Sequence, residues 1–479
     1  MSEAGARSRA VASPLTLVEK LAYGLGEVGE AVKTAALETF LFFYYIQVIG
    51  LPGAMTGLAL FIALLVDAIA DPLIGHWSDR TRSPLGRRHP FLYAAPIPLA
   101  IGIVLLFSPP ATLPQWGIFL WLTGFTIIAR VAMAMYFVPH MALGADLSND
   151  YDERIQVGAY RTGFSYLGRL LALGAGFSIF FVATAAFPVG QLNPAAYLPF
   201  ALFCAAVVIV VVFVSAWGTQ ARARGLAAQR VDYGEAPPWR VLAQAIRVRS
   251  FRAMFLSLLV LYIFNGTQAA LMLHMATYYW ELGAGATQAT FYGATFGAIA
   301  GVYLVRPFAR RFDKKRAYIV GVLLACFSAS MPVLLRLAGV FPANGDPLLV
   351  PLLVAFNVGF GLFGTVPVTL SAAMLADVAD AYEHRFRERS EGFFFGAVAF
   401  SRKASLGLGG AVAGLVLDLI AFPTSGAKVG GIAPDVLTRL AVLYGPTMLA
   451  ILCMGLLILL PYDLSRRRHA EIMRDLEQR

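Results

Sequence analysis

Long apolar blocks dominate this chain, separated by short polar joints. They fall at 25–49, 54–76, 91–109, 115–145, 157–187, 195–217, 252–281, 287–309, 317–338, 347–376, 392–421 and 435–461. A helix of about 20 residues crosses the roughly 30 Å hydrocarbon layer of a bilayer. The pattern therefore predicts twelve spans, numbered 1–12 here, with the longer blocks tilting or projecting beyond the layer. The longest polar interruption, residues 221–250, divides them six and six. It predicts an N-terminal bundle over 1–220, a cytoplasmic linker over 221–250 and a C-terminal bundle over 251–479. The halves also echo each other: "VPHMALGADLSNDYDER" after Phe137 has a counterpart in "VPVTLSAAMLADVADAYEHR" after Thr365. Two repeated six-helix bundles with a site between them at mid-membrane suit alternating access.

Composition removes the water-soluble alternative. Of 479 residues, 58% are hydrophobic and 14% charged, and the mean hydropathy is +0.69, more apolar surface than a soluble core hides. The net charge of +10 is explained by its placement. Joints after even-numbered spans hold Arg80, Arg82, Arg87 and Arg88, then Arg222 to Arg249, then Arg310, Arg311, Lys314, Lys315 and Arg316, whereas joints after odd-numbered spans hold almost none. Positive residues stay inside, which puts both termini in the cytoplasm and removes support for nucleic-acid binding. The N-terminal stretch lacks the apolar core of a cleaved signal, so the first block is expected to remain as a helix. Cys204, Cys326 and Cys453 lie apart in apolar runs and read as packing residues. No H-E-x-x-H, G-x-S-x-G or P-loop occurs and the six histidines are scattered, so an enzyme is not expected.

Charges inside the spans need reasons, because an ionised side chain near the bilayer centre costs about 2.5–3.5 kcal/mol even on the lenient insertion scale. Span 1 carries Glu27, Glu30, Lys33 and Glu38; span 2, Asp67 and Asp71; span 4, Arg130; span 5, Arg161 and Arg169; span 11, Lys403 and Asp418. Asp67 and Asp71 are four apart, on one helical face. Two carboxylates so close favour a shared proton or small cation, which is the chemistry of a coupling site; the structural alternative pairs them with Arg161 or Arg169. Glu30 and Lys33 suit a self-neutralising pair, and Glu27 reads as solvated near the cytoplasmic end. The Arg169 guanidinium is a natural clamp for hydroxyls or carboxylates. Tyr44, Tyr45, Tyr136, His140, Asn265, Gln268, His274, Tyr278, Tyr279 and Trp280 add rings and polar groups at cavity depth, the lining a polyhydroxylated ligand needs.

Three separated motifs, in order, carry a resemblance. "DAIADPLIGHWSDRTRSPLGRRHPF" on span 2 and its loop, "VPHMALGADLSNDYDERIQVGAYR" across spans 4 and 5, and "MLADVADAYEHRFRERSEGFFF" with "SRKASLGLGGAVAGLVL" across spans 10 and 11 resemble the glycoside–pentoside–hexuronide:cation symporters of the major facilitator superfamily, of which the melibiose permeases are members. The opening "EKLAYGLGEVGE" is similar as well. The resemblance implies an all-α membrane protein of twelve helices in two six-helix bundles, both termini cytoplasmic, driving sugar uptake with H⁺, Na⁺ or Li⁺. By motif it places Asp67 and Asp71 on the cation site, and Lys403 and Arg169 near the sugar. Glu30, Tyr136 and His140 are the further substrate candidates. This chain departs from the melibiose permeases at Phe137, Ala70 and Ala134, where they have an aspartate, an asparagine and a threonine, and at Ala31 in place of the sugar-binding aspartate. Sodium asks for several hard oxygens while a proton asks for one tuned carboxylate, so H⁺ is favoured over Na⁺. The alternatives on the same fold are a carrier of an amphiphile such as a lysolipid, or an uncoupled facilitator.

The loops predict a cytoplasmic gate. Asp79, Arg80, Arg87 and Arg88 after span 2 and Asp146 and Asp150 after span 4 have counterparts in Arg310, Arg311 and Asp313, with Asp377, Asp380 and Arg389. The expectation is a monomeric, multi-pass protein of a bacterial plasma (inner) membrane. It binds a small molecule, a sugar, and contacts lipid, with no cofactor, metal or nucleic acid.

Overall fold

A computed structural model describes residues 14–148, 150–224, 238–387 and 391–478. Among them the fold is helical, without a strand. Span 1 is Leu17–Ala36, continued by wider turns over Leu37–Leu41 and Tyr44–Ile49; span 2 is Gly53–Arg80; span 3 is His89–Ala94 and Pro96–Leu106; span 4 is Gln115–Asp146; span 5 is Tyr151–Ala175 with Gly176–Phe180; span 6 is Tyr197–Arg224. Span 7 is Arg249–His274 with Met275–Tyr279; span 8, Ala284–Arg311; span 9, Lys314–Leu337; span 10, Leu349–Phe386; span 11, Glu391–Leu419; and span 12, Pro434–Val442, Leu443–Thr447 and Met448–Leu459.

Most helices run past the apolar blocks. Span 1 starts at Leu17, eight residues before its block (25 − 17), because Thr16 and Glu19 form a reciprocal capping box. Span 10 runs on to Phe386, beyond the predicted 376, as a polar-faced extension. Much of the expected linker, 225–237, lies outside the described residues; Pro238–Ala245 is a short helix leading into span 7.

Among the described residues nine spans are apolar and long enough to cross a bilayer by composition alone, and spans 1, 8 and 11 are not. Spans 1 and 11 are the ones interrupted by Glu27, Glu30 and Lys33 and by Arg402, Lys403 and Asp418. Both are sheltered by neighbours. Span 1 packs on spans 5 and 6, and span 11 lies between spans 2 and 7.

Spans 1–6 and 7–12 meet chiefly where span 2 lies against span 11. Small residues let the backbones touch there: a Cβ on Gly414 would come within 2.0 Å of the Gly53 carbonyl oxygen, and one on Gly57 within 2.7 Å of the Ala411 Cα. Asp418, at the end of span 11, accepts from the backbone N–H of Gly53 (2.9 Å) and Ala54 (2.8 Å), capping the start of span 2. The face opposite the termini carries further ties between the halves. Tyr278 donates to Gln47 Oε1 at 2.8 Å and Gln47 to the Pro423 carbonyl at 3.1 Å. Gln191 donates to Thr277 (3.0 Å) and Ser178 to Gln288 (2.7 Å), while the rings of Phe43, His274 and Phe422 pack beneath.

Candidate functional site

Span 2 places Asp67 and Asp71 one turn apart, ahead of Pro72, which removes the hydrogen bond its own N–H would give to the carbonyl of Ala68. Across the seam span 11 inserts Lys403. Its Nζ lies 2.8 Å from Asp67 and 2.6 Å from Asp71. Arg130 of span 4 approaches Asp67 at 3.6 Å. Neither Arg161 nor Arg169 joins this cluster, so the pairing weighed from sequence is replaced by Lys403 and Arg130. Two carboxylates and two cations cancel. A free cation added to the cluster must therefore displace an ammonium, and a proton added to a carboxylate weakens the hold on Lys403.

Span 1 meets span 5 around a cleft of about 350 Å³ lined by Glu27, Glu30, Thr34, Arg161, Ser165 and Arg169. The spacing of Glu27, Glu30 and Thr34 keeps them on one face of span 1. Glu30 pairs with Lys33 at 3.4 Å and accepts from the Thr34 hydroxyl at 2.7 Å. Glu27, expected to be solvated, is instead buried, with Arg161 Nε at 4.0 Å and its second carboxylate oxygen without a donor. A second cavity of about 230 Å³ lies within spans 7, 9, 10 and 12; Asn265, Gln268, Trp280, Asn357 and Tyr444 line it, and Arg169 stands at its edge. Arg169 thus belongs to both spaces.

Tyr136 and His140 are not brought to these cavities. Both are fully buried where spans 1, 4 and 6 pack: Tyr136 donates to Ser215 at 3.3 Å, and the His140 ring stacks on Tyr23 at 4.3 Å. Gly26 makes room for them, since a Cβ there would lie 1.8 Å from the Tyr136 hydroxyl. Sequence reasoning missed Arg161, Arg130 and Asn357 as site residues. Arg161 and Arg130 were visible as charges inside spans, but nothing local named their partners.

At the face bearing the termini, Arg87 pairs with Asp146 at 2.7 Å, and Arg88 with Asp146 at 2.9 Å and Asp79 at 3.7 Å. Burial draws Arg88 below the ordinary guanidinium value while Asp146 acts the other way. Asp150 caps span 5 through the N–H of Glu153. In the other half, Asp377 takes Lys314 at 2.7 Å, Asp313 caps span 9, and the Asp380 carboxylate accepts from His469 Nε2 of the C-terminal helix Arg466–Glu477 at 2.8 Å. Arg80, Arg310 and Arg311 are exposed, and among the described residues they form no ion pair. Arg389 lies outside the described residues.

Comparison with known proteins bears on this arrangement as a whole. The family model described as MFS/sugar transport protein matches residues 22–465. The chain is 25% identical to the putative glycoside/cation symporter YagG of Escherichia coli (strain K12), over 96% of its own length and 95% of that protein. Over a shorter stretch, 34% of the chain and 31% of the relative, it is 35% identical to an uncharacterized symporter of Synechocystis sp.. Among solved structures, a mutant form of the nucleoside transporter NupG matches with a TM-score of 0.64 at 13% identity, covering 92% of this chain and 99% of that one, a likeness of fold.

Proposed function

The chain belongs to the MFS/sugar transport protein family, and on that premise we propose that it is a secondary active transporter that couples H⁺ entry to uptake of a sugar or glycoside by alternating access. That it is a multi-pass membrane transporter and not an enzyme follows from the family. Coupling and direction are our reading. One observation carries it: Lys403 of span 11 is held by Asp67 and Asp71 of span 2, across the boundary between the halves.

The chemistry follows from the neutral cluster. With both acids ionised, Lys403 ties the halves together at mid-membrane. Protonation of one acid removes its half of the attraction, and the ammonium so released can be met by the acceptors of a hydroxylated ligand. Ligand and proton thus favour the same state, which is what coupling requires. H⁺ is preferred to Na⁺ because Ala70 and Ala134 bring no further oxygens to the acids. The charge networks of Arg87, Arg88, Asp79 and Asp146, and of Lys314 and Asp377, serve as cytoplasmic braces that rearrange when the halves rock.

The test uses purified protein in sealed proteoliposomes, screened over mono- and disaccharides with an external pH electrode. External alkalinisation on adding one sugar supports H⁺ symport. Sugar entry with no movement of H⁺ or Na⁺ identifies a facilitator instead.

A further inference from the structure

A second cluster of ionisable groups lies at the face bearing the termini, away from Asp67 and Asp71. Asp377 and Asp380 are three apart, on one face of span 10. They meet His469 of the helix Arg466–Glu477, which stands 89 residues beyond Asp380 in sequence, so no local ligand spacing announces the group. His469 Nε2 lies 2.8 Å from Asp380 Oδ2 and 3.5 Å from Asp377 Oδ1. One ligand atom from each of the three residues lies within 4.8 Å of the others. Zinc holds such donors at about 2.0–2.2 Å, which sets tetrahedral ligands about 3.3 Å apart. The three side chains are therefore close to a ligand set already. The helix that brings His469 is firmly seated: Ile472 and Leu476 pack into the apolar core of the C-terminal half, and Arg466 donates to the Ala309 carbonyl at 3.2 Å.

Charge and an unfilled hydroxyl point the same way. Lys314 lies 2.7 Å from both oxygens of Asp377, and Asp380 has no lysine or arginine partner among the described residues. Two carboxylates and one ammonium leave one negative charge. Lys314 does not exhaust Asp377, since each carboxylate oxygen carries two lone pairs. Tyr462, which follows span 12, is 2% exposed and its hydroxyl has no hydrogen-bond partner among the described residues. The charges that reach it are those of Asp377, Asp313 and Asp463. Metal-binding carboxylates are themselves held by hydrogen bonds, and a buried hydroxyl beside Asp377 is placed to give one, to the carboxylate or to a water on the ion.

We propose that Asp377, Asp380 and His469 form a site for one divalent transition metal of the zinc class, with water in the fourth position. An imidazole among the donors selects zinc or cobalt over magnesium and calcium, which take oxygen ligands. The ion takes the place of the proton on His469 Nε2, and the neutral ring keeps its proton on Nδ1. It joins the C-terminal helix to the cytoplasmic end of span 10, the same helix whose Asp377 braces Lys314 of span 9.

The experiment uses purified full-length protein in detergent, freed of its affinity tag and stripped of metal by a chelator. Co²⁺ is titrated in and read by visible absorption, and Zn²⁺ is added afterwards. The expected result is one equivalent of Co²⁺ giving visible bands that Zn²⁺ erases, with a Tm that rises as Zn²⁺ is added. His469→Ala and Asp380→Asn weaken Co²⁺ binding at least about tenfold, and Tyr462→Phe weakens it less while the shape of the spectrum is kept. His384→Ala leaves binding as in wild type, although His384 pairs with Asp475 of the same C-terminal helix. Thermal unfolding without metal shows that each variant is folded. Absence of cobalt bands in wild type, or bands that survive both His469→Ala and Asp380→Asn, overturns the site. Loss of the bands in His384→Ala with retention in His469→Ala moves the metal to the other pair and overturns it as well.

Discussion

Spans 2 and 11 join the two halves twice, by different physics. At one end of the seam Gly53 and Gly57 lie against Gly414 and Ala411, and Asp418 caps the first turn of span 2. Further along the same helices Lys403 sits between Asp67 and Asp71. The first junction is held by backbone shape and by a carboxylate serving main-chain N–H groups, neither of which a proton at mid-membrane reaches. The second is held by an ion pair, which neutralising a carboxylate weakens. On the symport reading proposed above, the first junction would act as the pivot and the second as the coupling point.

Breaking the charged junction has the largest expected effect. Asp71→Asn and Asp67→Asn abolish accumulation of sugar against its gradient while leaving exchange of labelled for unlabelled sugar across the vesicle membrane. Accumulation by either variant at the wild-type level contradicts the assignment. Lys403→Ala leaves two like charges one turn apart. Asp71 is 31% exposed, so the loss falls short of the 3–5 kcal/mol of a fully buried broken pair, at about 1–3 kcal/mol. It is read as a lower Tm in detergent, and combining it with Asp71→Asn restores part of the stability.

The pivot responds differently. Gly414→Val forces side-chain carbons onto the Gly53 carbonyl, an overpacking cost of about 1–3 kcal/mol. It slows exchange and accumulation together, whereas the acid variants separate them. A smaller effect is expected of Asp418→Ala, which loses a helix cap worth about 1 kcal/mol. Its Tm falls slightly and the pH dependence of uptake stays as in wild type; a shifted pH profile would place Asp418 in the coupling machinery and erase the contrast.

These two junctions also show what could be read from the chain. The helices, their number and the odd charges were legible because apolar blocks of membrane length and acids within them are local signals. Lys403 and Asp71 stood out for that reason, but their contact spans 332 residues and no local pattern encodes it. Asp418 looked like another unexplained buried charge until the start of span 2 was seen beneath it. Tyr136 and His140 were misleading in the opposite way: a polar ring on an apolar helix looks the same whether it faces a cavity or the packed core of spans 1, 4 and 6. Glu27 was read as solvated because its sequence neighbours hide Arg161, which arrives from span 5.

The most direct test of the central claim is proton movement accompanying sugar entry in sealed proteoliposomes, wild type beside Asp71→Asn. Sugar-dependent alkalinisation outside wild-type vesicles, absent from the variant although it still exchanges sugar, is the predicted result. Equal alkalinisation by both would show that the proton enters by another route and that the Lys403 junction does not couple it.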